Sequence, residues 1–153
     1  MEEDPHELSV EAEALLREFG WFPGRAVSTD GWEQLLALNG FVMHNAAKRF
    51  LAEFGGIEIP YPLPTANRGK MALSLNPTLA HYDDAVYEFL SDEAGVPIYP
   101  IGDMDRRTDY LGIAEDGSVY AGLDAFTRLG DSPRQALDVL LLAIAKMYSR
   151  ARS

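Results

Sequence analysis

Three histidines and several close-set carboxylates are the side chains in this sequence with chemistry to offer. His6, His44 and His81 lie far apart in the chain, and none falls in a His-Glu-x-x-His or comparable metal-ligand spacing. His6 reads as part of a loose terminus, and His81 with Tyr82 as a helix boundary. Asp103-Met104-Asp105-Arg106-Arg107-Thr108-Asp109 approximates a calcium loop, but Arg107 stands at the fifth position and Thr108 replaces the glycine required at the sixth. That run reads instead as a solvated, charge-compensated loop between strands. The nucleophile elbow Gly-x-Ser-x-Gly, the phosphate loop and the dinucleotide Gly-x-Gly-x-x-Gly are all absent. With no cysteine, disulfides, zinc-thiolate sites and thiol nucleophiles are excluded. The sequence therefore predicts no catalytic residue, no metal and no cofactor.

The carboxylates carry a different message. Asp83-Asp84 suits a helix N-terminus, where the macrodipole favours negative charge. Acid–base work would further demand burial and a facing partner. Asp92-Glu93 falls at the opposite helix end, against the dipole, which hints at a surface role. The formal net charge is −11, and it is unevenly placed. Residues 1–105 hold 6 basic and 18 acidic side chains, residues 106–153 hold 7 and 6. Binding to nucleic acid or an anionic membrane is disfavoured, because the phosphate term would be repulsive. A basic protein partner is favoured, with electrostatic steering of encounter.

The elements that must position these groups follow from punctuation and periodicity. Ser9 caps a first helix running to Phe19, with Leu15, Leu16 and Phe19 inward. Trp21-Phe22-Pro23 forms an aromatic turn. Asp30 caps a second helix, with Glu33 at the capping-box position and Trp32, Leu35, Leu36 and Leu38 as its apolar stripe. A third helix from about Asn45 ends in Phe50-Leu51-Ala52-Glu53-Phe54-Gly55-Gly56, where the glycines offer positive φ and hand over to the strand Ile57–Ile59. After the proline-rich loop from Pro60 to Gly69, Met71–Leu75 returns to the sheet. Asn76-Pro77 opens helical turns over roughly 78–93, with Val86, Phe89 and Leu90 inward and Gly95 as terminator. Ile98–Ile101 reads as a strand that Pro100 pushes towards an edge. Glu115-Asp116-Gly117-Ser118 is a hairpin turn between Tyr110–Ala114 and Val119–Ala121, and Phe126–Leu129 is a further strand. Ser132-Pro133 starts a last helix, whose segment Val139–Ala145 is apolar nearly all round. That segment is either sandwiched or half of an oligomer interface, leaving monomer and weak homo-oligomer both open. It falls far short of the roughly 18 residues of a membrane span.

With 153 residues and 47% hydrophobic content, the chain can bury about 70% of its unfolded surface as one ordinary domain. The expected fold is α+β: a single domain over 1–153, core about 9–148, with a mixed or antiparallel central sheet flanked by helices. Met1-Glu2-Glu3-Asp4 is acidic where a secretory signal needs positive charge, so a cytoplasmic protein without a targeting segment is expected.

Several of these stretches, in this order, resemble one family. Leu16-Arg17-Glu18-Phe19-Gly20-Trp21-Phe22-Pro23-Gly24-Arg25 is similar to the opening of the third SUKH immunity-protein group, followed there too by a helix carrying a tryptophan, here Trp32. Phe50–Gly56 resembles the superfamily's helix-to-strand junction. Pro100-Ile101-Gly102, Glu115–Tyr120, and Leu129-Gly130-Asp131-Ser132 with Ala136-Leu137 are similar to its later signature. The similarity covers roughly residues 15–142; Asn76-Pro77 departs from an expected Asp-Pro, and both cap a helix. The resemblance implies a bacterial immunity protein that neutralises a polymorphic toxin, commonly a basic nuclease or deaminase, by stoichiometric binding and without turnover. The contact residues expected for such a binder, chosen by charge along the acidic loop and helix edge and not by the resemblance, are Asp83, Asp84, Glu88, Asp103, Asp105, Asp109 and Asp124, with the exposed ring of Trp21 as an aromatic anchor ringed by charge. Two other classes remain open: a regulatory or scaffolding interaction module without a toxin, and a small enzyme using His81 and an aspartate.

Overall fold

The computed structural model describes residues 4, 6–62, 71–105, 109–123 and 125–152. Helices α1 (Val10–Glu18), α2 (Asp30–Ala37) and α3 (Asn45–Phe54) precede strands β1 (Glu58–Pro60) and β2 (Met71–Ser74). A 3₁₀ turn (Pro77–His81) and α4 (Asp84–Ala94) lead into β3 (Tyr99–Met104), β4 (Asp109–Ile113), β5 (Val119–Gly122) and β6 (Phe126–Gly130). The long α5 (Pro133–Arg152) closes the chain. The six strands form one antiparallel meander in the order β1-β2-β3-β4-β5-β6, so the fold is α+β with an open antiparallel sheet. The segment 63–70, most of the proline-rich loop, lies outside the described residues, as do Met1–Glu3, Arg106–Thr108 and Asp124.

Local signals hold where capping decides them. Ser9 Oγ accepts from the Ala12 amide at 3.2 Å, Asn76 Oδ1 from Thr78 at 3.0 Å, and Gly95 takes a left-handed φ of 76°. The β4–β5 turn closes through Ala114 N–H to the Ser118 carbonyl at 2.9 Å, with Gly117 at φ 95°. Asp116 Oδ1 accepts from both the amide (2.9 Å) and the hydroxyl (2.6 Å) of Ser118. Two expectations shift by a residue or a role. The cap of α2 is Thr29, buried and without a side-chain cap bond, and Asp30 is the first helical residue. His44 caps α3, its Nδ1 accepting from the Ala47 amide at 3.1 Å while Nε2 sits 3.1 Å from the Ile113 carbonyl.

The helix-to-strand junction has two glycines for two reasons. Gly56 has φ 87°, which a side chain would resist. Gly55 has φ −61°, open to any residue, but a Cβ there would stand 2.7 Å from the Trp32 ring and against the Leu51 carbonyl. Gly55 therefore serves a close approach, of the Leu51 carbonyl first and the Trp32 ring next, and not positive φ.

Pro100 is not on an edge: β3 lies third in a sheet of six. It is tolerated because β2 pairs with β3 at Ser74↔Asp103, away from Pro100, and the β3–β4 register slips between Pro100 and Gly102. A bulge and a departed neighbour remove the demand for an N–H there. In α2, Leu36 is fully buried whereas Leu38, expected inward, is 77% exposed at the cap. Helix α5 packs on α1 and β6, burying Leu137, Leu140, Leu141, Ile144 and Tyr148 and leaving Val139 half-exposed. Among the described residues, no helix is long and apolar enough to cross a membrane.

Candidate interaction surface

The carboxylates expected at the partner face divide by what holds them. Asp83, just before α4, accepts a short hydrogen bond from the Tyr110 hydroxyl, which ties the start of α4 to the start of β4. Asp105, after β3, has a φ of 51° and accepts from the Tyr61 hydroxyl at 2.8 Å. That carboxylate and, more strongly, burial push the Tyr61 phenol up to about 12. Asp103 is 4% exposed within β3, and Asp109 is half-buried where β4 begins. Asp84 and Glu88, one helical turn apart on α4, are exposed. Asp92 continues their row at the same spacing and is exposed too. The row Asp84-Glu88-Asp92 is spaced i, i+4, i+8, a signal present in the sequence but not assembled from it.

Trp21 is corrected. Its ring is 6% exposed, stacked on Phe54 at 6.3 Å, and its indole N–H donates to Glu53 Oε2 at 3.2 Å. The same oxygen accepts from the Arg134 guanidinium at 2.6 Å, and Arg134 lies over the Phe54 ring. Arg25 donates to the carbonyls of Glu53 and Gly55 at 2.8 and 2.9 Å. A single carboxylate at the end of α3 thus gathers the aromatic turn and the start of α5. Trp21 is a structural residue, and the exposed ring of that turn is Phe22.

His6 is not loose either, because its Nε2 lies 2.9 Å from Asp138 Oδ2 on α5, while the Ser9 amide donates to Asp138 Oδ1 at 2.9 Å. Burial alone would raise the Asp138 carboxyl; the bonds from Ser9 and His6 outweigh it and hold the group below its usual range. His81 ends the 3₁₀ turn with Nδ1 2.6 Å from Asn39 Oδ1, and Asn39 Nδ2 in turn donates to Asp84 Oδ2 at 3.2 Å. The Asn39 amide thus stands between the His81 ring and the Asp84 carboxylate. Among the described residues, no group of three or more His, Cys, Asp or Glu side chains is placed to hold a metal ion.

Beside α4 opens a cleft of about 660 Å³, walled by the α2–α3 connection, by α4 and by the entry to β3. Phe41, Val42, Pro97 and Tyr99 supply its apolar side, and Asp84, Glu88 and Asp92 its acidic side. Ser91 Oγ accepts from the Ile98 amide at 2.9 Å, fastening the β3 entry to the helix. Tyr87 is fully buried behind it, its hydroxyl donating to the Leu111 and Gly102 carbonyls at 2.9 and 3.2 Å; burial first, then the nearby carboxylates, raises this phenol far above its ordinary value.

The model of the SUKH-3 immunity protein family matches residues 8–143, which contain all six strands and all of the helices except the end of α5. No curated protein and no solved structure shows significant similarity to the chain.

Proposed function

The chain belongs to the SUKH-3 immunity protein family, and from that premise we propose that it neutralises a cognate polymorphic toxin by stoichiometric binding, with no turnover of its own. The family match over residues 8–143 carries this reading, since immunity implies a toxin partner. The charge refines it: a chain at −11 complements a cationic protein, and nucleases and nucleic-acid deaminases are commonly cationic because they grip phosphate backbones. The reading places the protein in the bacterial cytoplasm, as a monomer or weak homo-oligomer.

The contact surface we assign runs along the outer side of α4, through Asp84 and Glu88, to Asp83 and on to Asp105 and Asp109 at the β3–β4 end. The Asp83–Tyr110 bond supports the continuity of these two regions. Asp103 and Trp21 drop out of the surface because both are buried. Asp124 stays a candidate by charge alone. Rigid placement on a helix and a strand end lowers the ordering cost of association, the condition under which immunity pairs reach the tightest affinities. Co-expression with the adjacent open reading frame tests the reading: cells survive with this chain and die without it. Equal survival in both cases, or death in both, overturns it.

A further inference from the structure

We propose that the cleft between α4 and the α2–α3 connection is a guanidinium site, which receives an arginine of the partner flanked by an apolar side chain. The inference deepens the toxin-binding reading and rests on it for the identity of the partner. Four features of the cleft argue for it independently of the family.

The first is uncompensated charge. Asp84, Glu88 and Asp92 repeat at i, i+4 and i+8 on one side of α4, where like charges repel one another. Asp92 also sits in the last turn, against the helix dipole, and α4 carries no basic residue in that turn. Neither Glu88 nor Asp92 has a hydrogen-bond or ion-pair partner among the described residues, and no lysine or arginine lines the cleft. Asp84 serves the fold through the helix N-terminus and Asn39, but folding gains nothing from Glu88 and Asp92, which a bound cation would compensate.

Tyr99 supplies a second, separate feature. It forms part of the cleft wall, with its ring 6.0 Å from Phe41 and 6.1 Å from His44, both of which also line the cleft. The residue is 2% exposed, and its hydroxyl is buried with no hydrogen-bond partner among the described residues. A buried hydroxyl left without a partner is costly, so this wall of the cleft carries an unmet polar group. Burial, with the charge of Glu33 adding to it, keeps this phenol protonated.

Third, the wall formed by Phe41, Val42, Pro97 and Tyr99 is apolar, and its rim is bare at Val42, which is 83% exposed. A single apolar residue at a surface is ordinary, whereas an apolar wall sharing a cleft with a carboxylate row makes an amphipathic seat. Fourth, the seat discriminates between cations. Guanidinium is planar, weakly hydrated, able to lie on an aromatic ring and to bridge carboxylates with its forked donors, whereas ammonium is a compact, strongly hydrated point charge. Phe41, half-buried and at right angles to Tyr87, offers such a ring beside the carboxylates.

The test uses the full chain and a probe peptide, Ac-Ala-Leu-Arg-Leu-Ala-NH₂, followed by amide chemical shifts. Shifts are expected at residues 41–44, 84–92 and 99, with at least tenfold weaker binding when citrulline replaces the arginine and when the chain carries Glu88→Gln with Asp92→Asn. A lysine peptide should bind more weakly than the arginine one. No binding, shifts spread evenly over other acidic surface such as Glu11 and Glu115, or full binding by the double variant would each overturn the site. Toxin neutralisation separates this from the parent reading. If the native chain protects against the toxin and the double variant binds it with undiminished affinity, the cleft assignment fails while the toxin reading stands. If the peptide binds as expected but the native chain protects against no toxin, the toxin reading fails while the guanidinium site stands.

Discussion

Replacing Gly55 by alanine and Gly56 by alanine should destabilise the protein for different reasons, and the difference can be measured. At Gly55 the backbone conformation suits alanine, but the added Cβ would meet Trp32 ring carbons at 2.7 and 2.8 Å as well as the Leu51 carbonyl. Overpacking of this kind costs about 1–3 kcal/mol. At Gly56 the nearest atom to a Cβ is 3.9 Å away, so space is ample, but φ is 87°. A left-handed alanine costs about 1–2 kcal/mol. Each loss is reduced by roughly 0.4–1 kcal/mol, because alanine also restricts the unfolded chain. Net losses centred near ~1 kcal/mol, reaching about 2.6 at Gly55 and about 1.6 at Gly56, therefore overlap, and a second substitution must tell them apart. Trp32→Leu removes the ring that Gly55→Ala would strike but leaves the nearer Leu51 carbonyl, so the pair should couple favourably by about 0.5–1 kcal/mol in urea unfolding, whereas Gly56→Ala and Trp32→Leu should add within about 0.3 kcal/mol. Gly56→Asn should cost less than Gly56→Ala, since asparagine tolerates the left-handed region. A harmless Gly55→Ala, or no coupling to Trp32, would refute the close-approach account of the junction.

The Glu53 carboxylate should be worth more than a surface charge, because it serves Trp21 and Arg134 together. Glu53→Ala should lower stability by about 2 kcal/mol after allowance for partial exposure, seen as a fall of roughly 4–8 °C in thermal midpoint. The Ser118 hydroxyl, and then its amide, hold the Asp116 carboxyl below its ordinary value. A depressed carboxylate stabilises the fold above its unfolded pKa of about 3.9 and loses that contribution as pH falls through the lower folded value. Ser118→Ala should therefore unfold at lower urea than the native chain at pH 7, with the gap closing as pH drops below about 4. Association with the toxin should slow steeply from low to physiological ionic strength, from rates up to ~10⁸ M⁻¹s⁻¹. Glu88→Gln with Asp92→Asn should flatten that dependence in stopped-flow measurements.

The order of elements was legible because each is bounded by residues whose backbone chemistry is nearly context-free: Ser9, Gly95, Asp116-Gly117 and Ser132-Pro133. What escaped depends on residues distant in the chain. Trp21 sits in an aromatic turn that looks like a surface anchor until Phe54 stacks on it and Glu53 takes its N–H. Pro100 looks like an edge marker because sequence does not reveal that β2 pairs only with the far half of β3. The aspartates read identically as charges, yet Tyr110 engages Asp83, Tyr61 engages Asp105 and the sheet encloses Asp103, while Asp84 and Glu88 face water. The cleft was invisible for the same reason, since residues 39–44, 84–92 and 97–99 come together only in the fold.

The central claim is that this chain silences a cationic toxin by occupying it. Titrating the purified native chain into a fixed amount of its cognate toxin tests that most directly. Toxin activity should fall in proportion to added chain, reach its floor at molar equivalence and stay constant with time at every ratio. Progressive loss of toxin activity at a small fraction of equivalence, or undiminished activity at several-fold excess, would contradict it.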